Sequence, residues 1–190
     1  MHVTDAPVTI GGRRIGVDQP PFVIAEMSGN HNGSLETAIE IVRAAAAAGA
    51  HALKLQTYTA DTMTLDLARG EFYISDPSSL WHGRSLYELY REAATPWDWH
   101  RPIFDLCREL GMIAFSTPFD ASAIEFLESL GAPCYKIASF ENIDLPLIRQ
   151  GYQAGVTARR NSRSSDRRSR SRRRRARGRG TRRRSGRRGK

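Results

Sequence analysis

The 190-residue sequence lacks any apolar run of roughly eighteen residues, which excludes a segment that could cross a membrane as a helix. It also lacks a basic start followed by an apolar stretch, so no secretory signal is visible and we expect a cytoplasmic protein. Cysteine is scarce. Cys107 and Cys134 show neither metal-site spacing nor a CxxC motif, and we expect both to be buried, unreactive thiols in a reducing compartment.

Apolar residues are also nearly absent from residues 151–190, which contain one Val and one Tyr but no Ile, Leu, Phe, Met or Trp. This segment holds seventeen Arg, one Lys and one Asp, a net charge of +17, whereas residues 1–150 carry −8 and the whole chain +9. So little apolar surface cannot offset the entropy of ordering the segment. We therefore divide the chain into a folded domain, 1–150, and a disordered Arg-rich tail, 151–190.

Three explanations of the tail remain open. Its abrupt start and its strong preference for Arg over Lys fit out-of-frame reading of GC-rich DNA, and we expect this origin. Arg-rich segments also bind nucleic acid through phosphate charge, although no aromatic residue is interleaved with these arginines for base stacking. The third explanation is that the tail docks on an acidic surface, including that of residues 1–150.

The folded part alternates short apolar runs with amphipathic helical patterns. Strands are predicted over 22–26, 52–56, 112–117 and 134–139, and a helix follows each one. Residues that cap helices precede four helical patterns, at Ser34, Ser85, Asp120 and Asp144. This alternation predicts an α/β fold with parallel strands and right-handed crossovers.

Ligand-binding motifs for nucleotides are missing from this α/β pattern. The sequence contains neither GxGxxG nor GxxxxGK[ST], which argues against dinucleotide and P-loop sites. His31 follows the first strand without another residue at metal-ligand spacing, so we interpret it as a hydrogen-bonded loop histidine. No metal ligand is assigned from the residues.

Polar residues interrupt the strands near their carboxyl ends, where parallel α/β folds bind ligands. Glu26 ends the first strand, and Lys54 and Gln56 share one face of the second. The remaining members of this polar set follow on the third and fourth strands: Thr117, Lys136, Ser139 and Glu141. Because an isolated buried ammonium is costly, each lysine needs an anion. The glutamates could pair with the lysines internally, or the lysines could hold an anionic ligand, and the pattern leaves both open.

Four segments in this order resemble the sialic acid synthase family. They are residues 24–33 (IAEMSGNHNG), 54–58 (KLQTY), 116–120 (STPFD) and 135–141 (YKIASFE), and the similarity extends over residues 10–149. Within that family the chain is most similar to the pseudaminic acid synthases, through residues 28–32, 86–90, 95–97 and 138–141. The N-acetylneuraminate synthase branch is the alternative.

The resemblance implies a (β/α)8 TIM barrel, a C-terminal antifreeze-like domain and a homodimer. It implies condensation of phosphoenolpyruvate with a 2-acetamido or diacetamido-trideoxy sugar to form a nonulosonic acid, with release of phosphate and use of a divalent metal, Mn or Mg. By the same resemblance Glu26 and Glu141 are catalytic. The implied substrate-binding residues are Lys54, Gln56, Thr117, Lys136 and Ser139.

The chain departs from the family pattern after residue 150. Only four of the eight expected βα units are present, so the fold predicted here is the N-terminal half of a barrel. The histidines that hold the family's metal and the antifreeze-like domain are missing from this sequence. Because a half-barrel exposes two sheet edges, we expect this chain alone to be aggregation-prone and inactive.

Overall fold

A computed structural model of the chain describes residues 8–154. It begins with an antiparallel hairpin of β1 (Val8–Ile10) and β2 (Arg13–Ile15). This hairpin was not predicted, although the pair Gly11-Gly12 directly after the β-branched residues 8–10 is a signal for it. Both glycines have positive φ, 54° and 86°, as a tight two-residue hairpin turn requires.

Three of the four predicted strands form a parallel sheet. They are β3 (Ile24–Glu26), β4 (Ala52–Thr57) and β5 (Ile113–Pro118), with β4 in the centre. The register places Glu26 beside Lys54 and Lys54 beside Phe115. Because in-register neighbours of a parallel sheet share a face, Glu26, Lys54, Gln56 and Thr117 fall on one side of it.

The fourth strand, predicted over residues 134–139, does not form. A single isolated parallel bridge joins Ser116 to Tyr135, and the Lys136 N–H donates to the Ser116 carbonyl at 3.1 Å. Residues beyond this bridge have no regular strand pairing within the part of the chain described. The segment has a neighbour on one side only, and one ladder contact does not extend it into a strand.

Helices follow the strands, and three of them begin at the predicted caps. Their bounds are α1 (Leu35–Ala47), α2 (Ala60–Met63), α3 (Leu86–Ala93), α4 (Trp97–Glu109) and α5 (Ala121–Ser129), with 3-10 turns at Gly70–Phe72 and Phe140–Ile143. The side chains of Ser34, Ser85 and Asp120 each accept a hydrogen bond from an N–H in the first turn of the helix that follows. Residues 145–154 are also helical, and Asp144 caps them by accepting from the Leu147 N–H at 3.0 Å.

The predicted domain boundary at residue 150 therefore falls inside a helical segment. Of the Arg-rich tail predicted for 151–190, only residues 151–154 are described, and the predicted disorder lies outside the described residues. No helix within residues 8–154 combines the length and the apolar character needed to cross a membrane.

The main core lies between the sheet and its helices. Leu53 and Leu55 of β4 are fully buried together with Val42 of α1, Ile103 of α4 and Leu127 of α5. Each such side chain contributes about 1.5–3 kcal/mol through burial. This packing fixes which face of β4 turns toward the helices, and it leaves Lys54 and Gln56 on the opposite, inner face.

The two cysteines are free thiols. Cys107 is buried in the core, where desolvation raises its pKa to about 12, and burial raises the pKa of the half-buried Cys134 to about 11. Thiols with such pKa values carry almost no thiolate at neutral pH, which agrees with the predicted lack of reactivity.

Candidate functional site

An ion pair lies on the inner face of the sheet, between Glu26 at the carboxyl end of β3 and Lys54 in the middle of β4. Lys54 Nζ is 2.5 Å from Glu26 Oε1. The lysine side chain is 10% exposed and the glutamate side chain 55% exposed. The ammonium is thus almost withdrawn from water, while its partner carboxylate opens to solvent.

Local structure explains why these two groups meet. Glu26 and Lys54 are direct cross-strand neighbours in the parallel register, so their side chains leave the same face at the same level. Leu53 and Leu55 anchor the other face of β4 in the core. The lysine stem is therefore held in place by the pleat of a strand whose alternate residues are fully buried.

Gln56 and Thr117 lie next on the same inner face, toward the carboxyl ends of β4 and β5. They are register partners on β4 and β5. The hydroxyl of Ser28, in the loop after β3, donates to Gln56 Oε1 at 3.0 Å. Ser28 has a positive φ of 51°, a costly conformation for a residue with a side chain, and such strain concentrates at functional sites. Ser28 was not among the predicted site residues, although it lies two residues after Glu26 in the segment 24–33.

Lys136, Ser139 and Glu141 follow the bridge that joins Tyr135 to β5, and they are less tightly organised. The Lys136 backbone bonds to Ser116 at the end of β5, and its side chain is exposed. Ser139 is exposed, and Glu141 belongs to the 3-10 turn that follows. The ion pairs found among residues 8–154 join Lys54 to Glu26, Arg84 to Glu92 and Arg108 to Asp105. Internal pairing thus forms for Lys54 and not for Lys136.

Among residues 8–154, three buried oxygens within and after β5 have no hydrogen-bond partner. They are Thr117 Oγ1, Asp120 Oδ2 and Glu141 Oε2. Asp120 was predicted only as a helix cap, a role its other oxygen performs by accepting from the Ala123 N–H at 2.9 Å. Buried polar atoms are normally paired, so unsatisfied ones at a candidate site mark capacity for a further donor.

On the opposite face of the same strands, buried polar side chains form a series of hydrogen bonds in which each group has a partner. His100 Nδ1 lies 3.2 Å from the Pro96 carbonyl, which can only accept, so this nitrogen carries the proton. His100 Nε2 therefore accepts from the Thr57 hydroxyl at 2.8 Å, and Thr57 accepts from the Ser116 hydroxyl at 2.7 Å. Burial lowers the pKa of His100 to about 4, which keeps the ring neutral. His100 is fully buried.

His31 is a hydrogen-bonded loop histidine, as predicted. Its Nδ1 accepts from the Gly33 N–H at 3.1 Å, so Nε2 carries the proton and donates to Thr95 Oγ1 at 3.1 Å. The ring is fully buried edge-on against Trp99, and desolvation lowers its pKa. The residue fixes the loop that follows β3 and thereby supports Ser28 and Glu26.

Residues 8–154 contain no group of three His, Cys, Asp or Glu side chains placed to hold a metal ion. The acidic residues at the strand ends therefore do not form a metal centre by themselves. A divalent metal does not fit the described part of this site.

The sequence profile described as the NeuB family matches residues 41–157, more than half of the chain. The chain belongs to the NeuB family. A pseudaminic acid synthase from Helicobacter pylori is 48% identical to this NeuB chain over 132 residues. That alignment covers 70% of the chain but only 38% of the length of the relative.

Solved structures agree on the fold. The N-acetylneuraminic acid synthetase of Leptospira borgpetersenii serovar Hardjo-bovis superposes with a TM-score of 0.67 at 24% identity, over 82% of this chain and 49% of its own. The spore coat polysaccharide biosynthesis protein SpsE of Bacillus subtilis gives 0.57 at 35% identity, over 76% and 37%. The described residues of this NeuB chain thus have the fold of part of the α/β barrel of the sialic acid synthases, and the chain spans less than half of these relatives.

Proposed function

We propose that this NeuB chain is the anion-binding half of a phosphoenolpyruvate-dependent nonulosonic acid synthase. The observation that carries the proposal is Lys54, a nearly buried ammonium on the inner face of β4, whose partner Glu26 ends β3 and is open to solvent. Phosphoenolpyruvate carries a phosphate and a carboxylate, and charge-assisted hydrogen bonds to such groups are about twice as strong as neutral ones.

The proposed residue roles follow from the chemistry of the condensation. The methylene carbon of phosphoenolpyruvate forms a bond to the sugar aldehyde carbon, water adds to the resulting cation, and phosphate leaves. Lys54 and Lys136 hold the anionic groups, while Thr117 and Ser139 donate hydroxyl hydrogen bonds. Glu26 and Glu141 position the sugar and move protons, and Gln56, oriented by Ser28, binds the same substrates.

A divalent metal, Mn or Mg, belongs to this proposal only through the family resemblance. The described residues do not supply its ligands. We therefore derive no step through a metal, and we propose that turnover requires the part of the barrel that residues 8–154 do not contain. This chain alone is expected to bind anions without completing the reaction.

Pseudaminic acid chemistry is the more specific proposal for the sugar. The observation that supports it is the 48% identity to the Helicobacter pylori pseudaminic acid synthase. The substrate is then a 2-acetamido or diacetamido-trideoxy sugar. The family homodimer stays part of the same proposal.

We keep the division into a partial synthase domain, 1–150, and an out-of-frame Arg-rich tail, 151–190, as a proposal about the gene. Sequencing the DNA around codon 150 and translating all frames tests it. A single-base change that restores further βα units supports the proposal. A confirmed reading frame with no such restoration contradicts it, and the tail then becomes the segment to test for nucleic-acid binding.

Titration of the full chain with phosphoenolpyruvate, followed by calorimetry, tests the anion site. Because a charged hydrogen bond contributes about 1.5–3 kcal/mol, Lys54→Met is expected to weaken binding by about tenfold or more. The arginines of residues 151–190 bind anions in every variant alike, so the difference between variants isolates the site.

Arg108→Met is the matched control because it removes a cation that is 66% exposed and paired with Asp105, away from the strand ends. Its affinity for phosphoenolpyruvate should equal that of the unmodified chain. Equal affinities for the unmodified chain and Lys54→Met would remove the basis of the proposal.

A further inference from the structure

The loop after β3, residues 27–34, holds a serine in a strained conformation. Backbone hydrogen bonds of 3.0–3.2 Å close three successive turns within this loop. Two of its residues other than glycine have positive φ, Ser28 at 51° and Asn32 at 49°. Asparagine tolerates this left-handed conformation, whereas serine adopts it at a cost that glycine would avoid. The backbone alone therefore gives no reason for a serine at position 28.

Contacts with the end of α3 and the residues after it hold this loop from outside. Gly29 lies so close to Ala93 that a Cβ at position 29 would be 3.2 Å from the Ala93 carbonyl oxygen. His31 is fully buried and donates to Thr95 Oγ1 at 3.1 Å. Because these contacts lie one and three residues after Ser28, its backbone cannot relax without breaking them. Packing thus maintains the strain.

The Ser28 hydroxyl decides how the amide of Gln56 is turned. This hydroxyl donates to Gln56 Oε1 at 3.0 Å, so the acceptor end of the amide is occupied. The Nε2 end carries two donor hydrogens, and within residues 8–154 no hydrogen bond from it is found. Gln56 therefore presents an unused donor on the inner face of the sheet.

Thr117 lies beside Gln56 and also has an unused polar group. The two residues are register partners on β4 and β5, and neighbouring strands lie about 4.8 Å apart. Thr117 is 1% exposed, and its hydroxyl has no hydrogen-bond partner among the described residues. Buried polar groups are normally paired, so an amide donor next to an unpaired hydroxyl would ordinarily bond to it. The bond from Ser28 opposes that arrangement because it fixes the amide at its other end.

We propose that Ser28 is a positioning residue that keeps Gln56 and Thr117 apart, so that both donate to one oxygen atom of the substrate. This inference rests on the proposed function, in which the inner face binds phosphoenolpyruvate. A carboxylate or phosphate oxygen accepts from the Gln56 amide and the Thr117 hydroxyl together. Lys54, two residues earlier on the same face and about 6.6 Å away along the strand, supplies the positive charge. The strained serine thus serves ligand binding and not the stability of the loop.

Calorimetric titration of the full chain with phosphoenolpyruvate tests the role of the hydroxyl. Ser28→Ala and Ser28→Gly both remove this group, and each should weaken binding by about three- to tenfold. Only Ser28→Gly also relieves the strain, so its Tm should exceed that of Ser28→Ala by about 2–8 °C. A residue that merely shaped the loop would give affinities that follow the Tm values, and that result would overturn the proposal.

A double-mutant cycle separates positioning from direct contact with the ligand. In a Gln56→Met background, Ser28→Ala should change the affinity for phosphoenolpyruvate no further, because Ser28 acts through the amide. A further loss in that background would overturn the assigned role. Ser129→Ala is the matched control, since its hydroxyl donates to the Phe126 carbonyl at the end of α5, and it should leave the affinity unchanged.

Thermal unfolding without ligand provides a second measurement that does not require substrate binding. Thr117→Val should not lower the Tm of the unmodified chain, in which this hydroxyl has no partner. In a Ser28→Ala background the released amide bonds to Thr117, so the same substitution should lower the Tm by about 2–4 °C. The same response in both backgrounds would overturn the proposal.

Lys54→Met separates this inference from the proposed function. If Lys54→Met weakens phosphoenolpyruvate binding while both Ser28 variants bind as tightly as the unmodified chain, the proposed function stands and the role of Ser28 is overturned. If Lys54→Met itself binds as tightly as the unmodified chain, the proposed function fails, and this inference, which names the same substrate, is overturned with it.

Discussion

The two faces of β4 and β5 contrast sharply, although they alternate residue by residue along the same strands. The helix-facing side holds Leu53 and Leu55 in the main core and a hydrogen-bond chain in which every polar group of Thr57 and His100 has a partner. The inner side holds the Lys54–Glu26 pair, half-exposed, and Thr117 with an unpaired buried hydroxyl.

Within one strand, the residues that stabilise the fold thus alternate with residues that are available for chemistry. The helix-facing side chains are satisfied and closed off from solvent, so changing them costs folding free energy. The inner side chains are unsatisfied or only partly screened, so they retain capacity to interact with something outside the described residues. Neighbouring residues on β4 should therefore respond very differently to similar substitutions.

The largest difference is expected between Leu55→Ala and Gln56→Ala. Leu55 is fully buried in the core, and its truncation should lower the free energy of unfolding by about 2–5 kcal/mol. Gln56 loses only its bond from Ser28, worth about 0.5–1.5 kcal/mol. Urea denaturation at fixed protein concentration measures both values. Equal losses would show that the inner face is packed as tightly as the core.

The next largest effect is the pH dependence of the free energy of unfolding that His100 causes. Its pKa falls from 6.5 to about 4 on folding, so between these values the unfolded chain binds a proton that the folded chain does not. Stability should therefore be full above about pH 6.5 and decline as the pH falls toward 4, by about 3 kcal/mol in all. His100→Gln should flatten this dependence.

His31 has a lowered pKa as well and adds a decline of the same sign. The informative quantity is therefore the difference between the unmodified chain and His100→Gln, measured by urea denaturation at several pH values. Parallel curves for the two proteins would contradict the neutral, hydrogen-bonded state of His100.

The smallest effects on stability are expected when a threonine is replaced by valine on each face of the sheet. Thr57→Val leaves His100 Nε2 without its donor and Ser116 without its acceptor, and should cost about 1–3 kcal/mol. Thr117→Val removes a buried hydroxyl that has no partner, and should leave stability unchanged or raise it by up to about 1 kcal/mol. Thermal unfolding compares them. A loss of the same size in both would indicate that Thr117 has a partner in solution.

Much of this fold was predictable because periodicity and capping are local properties. The three strands of the sheet, and helices that begin at Ser34, Ser85 and Asp120, follow from apolar spacing and from side chains that bond to the first turn. The placement of Lys54 and Gln56 on one face follows from strand alternation. The family followed from four short motifs at strand ends, and the match over residues 41–157 confirms it.

The errors have physical reasons. The apolar pattern of residues 134–139 is that of a strand, but a strand also needs neighbours, and this segment has one bridge. The β1–β2 hairpin was missed because each of its strands has three residues, too few for periodicity to register. The role of Ser28 depends on a left-handed backbone and on Gln56, which lies 28 residues further along.

Sequence alone determined which residues could form strands and helices, which strand positions carry charge, and how sharply the −8 and +17 segments differ. These depend on side-chain chemistry and on spacing along the chain. Tertiary structure decided that Glu26 pairs with Lys54, that His100 is neutral and buried, and that Thr117 has no partner. These depend on sheet register and helix packing, because the groups involved are far apart in sequence and meet only when the strands align.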